Sequence, residues 1–180
     1  MKILVYVLLS IVGLIVIAFV TLLVMSSRPD ADRMAGSIDI AKPPQTVWAY
    51  VEEPDKLKSW ISWVVEVRDE TPGRRGVGSR YVLVMEDRNN GNMRVNIASE
   101  VVAYEECKKE TLRLSVPGMF SGEGTYALQD LGNGQTRLTQ ESTYHFDNWF
   151  ARLMAPLVMS EARKKMVEDL QRLKSLAEKS

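Results

Sequence analysis

The chain has 180 residues, 26% charged and 46% apolar, which suits one globular domain of ordinary size with a smaller appendage. Its 23 basic residues balance 23 acidic ones, without the basic excess of a nucleic-acid surface, so nucleic acid is not an expected partner. Cys107 is the only cysteine, which excludes a disulfide within the chain, leaves the redox compartment open and reads as an inert thiol.

The appendage comes first. Ile3 to Met25 are 23 uncharged residues, 17 of them Leu, Ile, Val or Phe. As a helix this run is about 34 Å long at about 1.5 Å per residue, enough to cross a hydrocarbon core of about 30 Å. Insertion is favoured by roughly 5–10 kcal/mol at about 0.3–0.6 kcal/mol per large apolar residue. A cleaved signal peptide is the alternative, but its apolar core is shorter, and Val24-Met25-Ser26 is a poor cleavage site. Residues 1–26 are therefore expected to be a single-pass transmembrane anchor and 27–33 a polar linker containing Pro29, leaving 34–180 as one domain near the bilayer. A short basic start at Lys2 before an apolar run is the pattern of a signal anchor, which puts the domain on the periplasmic or outer side.

Ile38 and Ile40 alternate with polar neighbours in a first strand, and Pro43-Pro44 ends it and opens a short helix carrying Val47, Trp48 and Val51. A second short helix, near Asp55 to Trp60, leads into a strand with Trp63, Val65 and Val67. Alternating runs at about 79–86, 92–104, 110–116, 120–130 and 135–147 predict five more strands, with turns at Asn89-Asn90-Gly91 and Gly132-Asn133-Gly134. Tight turns make such a sheet antiparallel. From Trp149 to Lys179, apolar residues at Phe150, Leu153, Leu157, Ala162, Met166, Leu170, Leu173 and Ala177 have helical spacing, and Pro156 is expected to kink this helix or detach its first turn.

The segment Ser37 to Gly78, with Ile38 and Ile40, Pro43-Pro44, Val47-Trp48, Pro54, Trp60 and Gly76-Val77-Gly78, resembles the opening of the SRPBCC superfamily. These are the START-like or Bet v 1-like helix-grip domains, which include polyketide cyclase/dehydrase-like proteins. The likeness continues more weakly to about Glu178. It implies an α+β helix-grip fold, a curved antiparallel β-sheet wrapped around a long C-terminal α-helix, here behind an N-terminal transmembrane helix. It also implies an apolar cavity, but no single function, since such domains carry, sense or alter many ligands.

Strand parity indicates where a cavity would lie. The expected inward set includes Tyr81, Leu83 and Met85, then Met93, Val95, Ile97, Ser99 and Val101, then Leu112, Leu114 and Val116. The last two strands add Gly122, Gly124, Tyr126 and Leu128, then Leu138, Gln140, Ser142, Tyr144 and Phe146. Ser99, Gln140 and Ser142 put polar groups where aliphatic side chains pack best, and Gly122 and Gly124 put nothing there. A packed interior avoids both, because an unpartnered buried polar group costs about 1–3 kcal/mol and missing side chains leave volume unfilled. The pattern favours a ligand cavity, and glycine bulges with locally bonded polar residues are the alternative. Expected ligand-binding residues are Trp60, Trp63, Tyr81, Met85, Met93 and Ser99 from the first half of the domain. Gly122, Gly124, Tyr126, Gln140, Ser142, Tyr144, Phe146, Met154 and Leu157 come from the second half.

No catalytic group is expected. His145 is the only histidine, no His, Cys, Asp or Glu group has metal-ligand spacing, and no cofactor motif is present. Glu123, Glu141 and His145 fall on the outward parity. Gly73-Arg74-Arg75-Gly76-Val77-Gly78 lacks the ending of a phosphate loop, and Arg163-Lys164-Lys165 reads as a wet helix face. The expected function is binding of a lipid or other hydrophobic small molecule by a membrane-tethered domain. A cyclase or dehydratase acting on such a molecule, and an interaction domain with a filled core, remain as alternatives.

Overall fold

A computed structural model describes residues 2–87 and 91–180. Its order is α1 (Lys2–Ser26), β1 (Arg33–Ile40), α2 (Pro44–Glu52), α3 (Pro54–Trp60), β2 (Val64–Asp69), β3 (Arg80–Asp87), β4 (Met93–Glu105), β5 (Lys109–Val116), β6 (Phe120–Gly132), β7 (Gln135–Phe146) and α4 (Trp149–Lys179). All seven strands form one antiparallel sheet in the order β1-β7-β6-β5-β4-β3-β2, with β1 and β2 at its edges. The chain is an α+β helix-grip domain behind an apolar N-terminal helix.

Proline opens both short helices, where a missing N–H costs nothing: Pro44 begins α2 and Pro54 begins α3. The β6–β7 turn has positive φ at Gly132, Asn133 and Gly134 (80°, 54° and 71°), the left-handed backbone these residues tolerate. Asn89 and Asn90 of the other expected turn lie outside the described residues.

Helix α4 is continuous through Pro156, so the proline detaches no first turn. The side chain of Asn148 caps it, accepting from the Ala151 amide at 2.8 Å. Its C-terminal half lies in a dry core with Ile40, Val47, Trp48 and Leu138, facing them with Leu170, Leu173 and Ala177. Gly36 lets β1 approach closely, since a Cβ there would stand 3.0 Å from Met166 Cε and 3.2 Å from Leu170 Cδ1. Arg163 is not merely solvated: its guanidinium donates to the carbonyls of Asp30 and Arg33, tying the segment after α1 to α4.

Helix α1 is 25 residues long, apolar almost throughout and without a buried residue, so it is long and apolar enough to span a membrane.

Candidate functional site

Strand alternation and the grip of the sheet on α4 leave a cavity of about 240 Å³ between them. Along β6 and β7, Gly124, Tyr126, Gln140, Ser142, Tyr144 and Phe146 all face it, because same-parity residues on paired strands share a face. Trp60 ends α3 and Trp63 follows it, Met85 comes from β3, and Val158, Met159, Ala162 and Met166 come from α4. Most of the lining is apolar, with a few polar groups among it, the composition of a small-molecule site.

Individual side chains are held in distinct ways. Trp60 is buried, donates its indole N–H to the Tyr50 carbonyl at 2.8 Å and stands edge-to-face with Tyr126 at 6.0 Å, which makes it a fixed wall and not a gate. Trp48 packs edge-to-face on Tyr104 at 5.7 Å in the filled core. Gly124 has ordinary backbone and no bulge role: an added Cβ would meet only Ser142 Oγ at 3.3 Å and Leu114 Cδ1 at 3.6 Å. The side-chain oxygen Oε1 of Gln140 is buried with no hydrogen-bond partner, so an acceptor lies free in the cavity wall.

Four expected positions lie elsewhere. Met93, at the start of β4, is 50% exposed, because the inward face there runs out beyond the helices. Gly122 serves backbone packing, since a Cβ would fall 2.4 Å from the Thr143 carbonyl oxygen. Leu157 is 47% exposed and Met154 is half-buried away from the cavity. Both lie off the stripe that α4 turns inward, and Val158, Met159 and Ala162 line the cavity instead. Tyr81 and Ser99 line a second, smaller chamber of about 50 Å³, which shares Ile61, Leu83, Leu112 and Tyr126 with the first.

Sequence reasoning missed two carboxyls. Glu110 is 6% exposed and faces the small chamber, and burial, assisted by the negative charge of Glu52 and opposed by Arg75, pushes its carboxyl up from 4.5 to about 7. It has the same parity on β5 as Leu112, Leu114 and Val116, two residues before the point where the expected inward set began. Asp169 lines the main cavity from α4, accepts from the Ser62 amide at 3.1 Å, and has its carboxyl raised chiefly by burial. Its position three residues after Met166 on the inward stripe was the available signal. Lys165 stands at the cavity rim, ion-paired with Glu168 at 2.8 Å. Glu123, Glu141 and His145 are exposed, as parity requires. Arg74 folds back onto the Val77 carbonyl within its own glycine loop.

The family described as "Polyketide cyclase / dehydrase and lipid transport" matches residues 32–178. A conserved protein from Geobacillus kaustophilus is similar in structure at 17% identity, over 82% of this chain and 96% of that one, with a TM-score of 0.66. Ara h 8.0201 is similar at 13% identity over 82% of this chain and 98% of that one, with a TM-score of 0.62. The di-domain ARO/CYC BexL from the BE-7585A biosynthetic pathway matches at 15% identity over 79% of this chain and 45% of that one, with a TM-score of 0.61. Comparison with the curated proteins gave no match.

Proposed function

Since the chain belongs to the polyketide cyclase / dehydrase and lipid transport family, we propose that it is a membrane-tethered binding domain that takes up a lipid or similar hydrophobic small molecule between its sheet and α4. The observation that carries this reading is the hollow of about 240 Å³ opposite Gly124, Gln140 and Ser142. An amphiphile fills apolar volume there and meets the free Gln140 acceptor, relieving a polar group that is otherwise buried without a partner. Residues 1–26 anchor the chain through α1, and residues 34–180, after the linker at 27–33, form the binding domain on the periplasmic or outer side of the membrane.

A second reading, an enzyme of the cyclase or dehydratase type, draws support from Glu110, a buried carboxyl near neutral pKa of the kind that moves protons in such reactions. Binding is preferred because, among the described residues, no nucleophile or second acid–base partner stands hydrogen-bonded to it.

The test is mass spectrometry of small molecules retained by the full chain purified in lipid nanodiscs. A specific hydrophobic molecule, enriched over the bulk lipid and lost in Gly124→Leu, is expected, and the same molecules in both proteins would refute the reading. For the anchor, full-length protein should resist alkaline carbonate extraction, whereas a mature soluble form beginning near Ser27 would identify a cleaved signal peptide. Protease added to intact cells should digest the domain if it faces outward.

A further inference from the structure

The small chamber behind Tyr126 is built differently from the main cavity. It holds about 50 Å³, room for a hydroxyl and about two waters, and adjoins the apolar hollow across the shared side chains of Ile61, Leu83, Leu112 and Tyr126. Two of its polar groups lack partners. Ser99 is 4% exposed and its Oγ makes no hydrogen bond. Glu110 is 6% exposed, and among the described residues no donor bonds its carboxyl. Burying the Ser99 hydroxyl unpaired is costly, and such an orphan is kept where something outside the chain completes it.

The charges around the chamber narrow what that can be. Glu52, at the end of α2, adds a second carboxylate; it accepts from the Tyr104 hydroxyl at 2.9 Å and lies 4.0 Å from Arg75. Among the described residues no lysine or arginine lines the chamber. Among the described residues the one ammonium on the main cavity, Lys165, stands at the rim and is paired with Glu168. A carboxylate head entering the chamber would therefore meet like charge in a poorly solvated place, where repulsion is weakly screened. A hydroxyl is suited to both forms of the Glu110 carboxyl: it donates to the carboxylate and accepts from the acid. Bridging water then reaches Ser99.

We propose that this chamber is the head-group subsite of the ligand cavity, where Glu110 and Ser99 hold the hydroxyl of a neutral amphiphile and a fatty-acid carboxylate is turned away. The assignment rests on the reading of the cavity as a ligand site and adds the class of ligand, an apolar body ending in an uncharged hydrogen-bonding head.

The experiment uses the full chain in nanodiscs and a matched pair of photoactivatable probes, a long-chain alcohol and the carboxylic acid of equal length, each with a diazirine beside its head. Wild type should be half-labelled by the alcohol at a concentration at least about tenfold below that for the acid. Crosslinks should fall on β3 and β4 near Tyr81 and Ser99. Glu110→Gln, with its melting temperature checked, should improve labelling by the acid relative to the alcohol about tenfold, and Ser99→Ala should weaken the alcohol and not the acid. Equal labelling by both probes, or a ratio unchanged in folded Glu110→Gln, would overturn the subsite. Alcohol crosslinks clustered near Lys165 would overturn it without any variant, because the head would then sit at the rim. If neither probe labels the cavity at all, the reading of the cavity as a ligand site falls, and the subsite falls with it.

Discussion

The two halves of α4 face the same sheet with the same kind of stripe, and they have opposite consequences. From Leu170 to Ala177 the stripe meets Ile40, Val47, Trp48 and Leu138, and the space between is filled: Leu173, Ala177, Val47 and Leu138 are all 0% exposed. From Val158 to Met166 it meets Gly124, Gln140, Ser142 and Tyr144, and the space is hollow. The helix did not change; its opposition did. Large aliphatic and aromatic partners convert burial into stability at about 25 cal/mol per Å², whereas glycine and short polar side chains leave volume for something else. The filled end is also pinned, with the Ala41 amide donating to Glu178 Oε1 at 2.8 Å and the Thr136 hydroxyl donating to the Lys42 carbonyl at 2.7 Å. Filled core and cavity are thus divided along one helix, and substitutions can separate them.

The largest stability effect should come from the filled end. Leu173→Ala is expected to cost about 2–5 kcal/mol by leaving a void in a dry core, with ligand binding per folded molecule unchanged. Denaturant unfolding beside a binding measurement on the full chain tests this, and a binding loss larger than the stability loss would contradict the division.

Next is Glu110, where the effect depends on pH. Its pKa is raised in the folded chain from 4.5 to about 7. A raised folded pKa means stability that is complete below about pH 4.5 and is lost as pH climbs through about 7. Glu110→Gln removes that loss, so it should stabilise the protein at pH 8 by about 3 kcal/mol at most and leave it little changed at pH 4. Melting curves across this range check it; parallel curves for wild type and variant would show that the carboxyl titrates normally.

Two neighbouring glycines give a finer contrast. Gly122→Ala should cost about 1–3 kcal/mol because the new Cβ meets backbone, the Thr143 carbonyl oxygen at 2.4 Å, which moves only with β7. The smallest stability change belongs to Gly124. Ala there meets only side-chain atoms, Ser142 Oγ at 3.3 Å and Leu114 Cδ1 at 3.6 Å, and Leu projects onward into the hollow, so both should stay within about 1 kcal/mol of wild type while Leu reduces binding of a neutral fluorescent probe such as Nile red at least tenfold. A large melting loss in both Gly124 variants, or unchanged probe binding in a stable Gly124→Leu, would mean the space is packed core.

Much of this is written in local pattern. Alternation placed all the strands to within a few residues, proline placed the starts of α2 and α3, and helical spacing placed α4, because backbone periods of 2 and 3.6 are imposed before any tertiary contact forms. The uncharged run Ile3 to Met25 alone sets the length and apolarity of α1. Parity also carried Gly124, Tyr126, Gln140, Ser142, Tyr144 and Phe146 onto one wall, since β6 and β7 pair without slipping across that stretch.

What alternation cannot supply is the third dimension of the site. Parity marks Met93 and Gly122 as inward, yet whether a helix covers that part of the sheet, or the next strand's backbone crowds it, depends on curvature. Spacing alone admits Leu157 to the helical stripe, but only the docked rotation of α4 selects Val158, Met159 and Ala162. The two carboxyls of Glu110 and Asp169 were hidden for a related reason: side-chain chemistry argues outward and parity argues inward, and the conflict is resolved only by where the walls close around them. The sequence by itself determined which segments become strands and helices and which side of each is apolar. The tertiary structure decided where those sides meet and where they stand apart, because a cavity is a relation between surfaces and belongs to neither one.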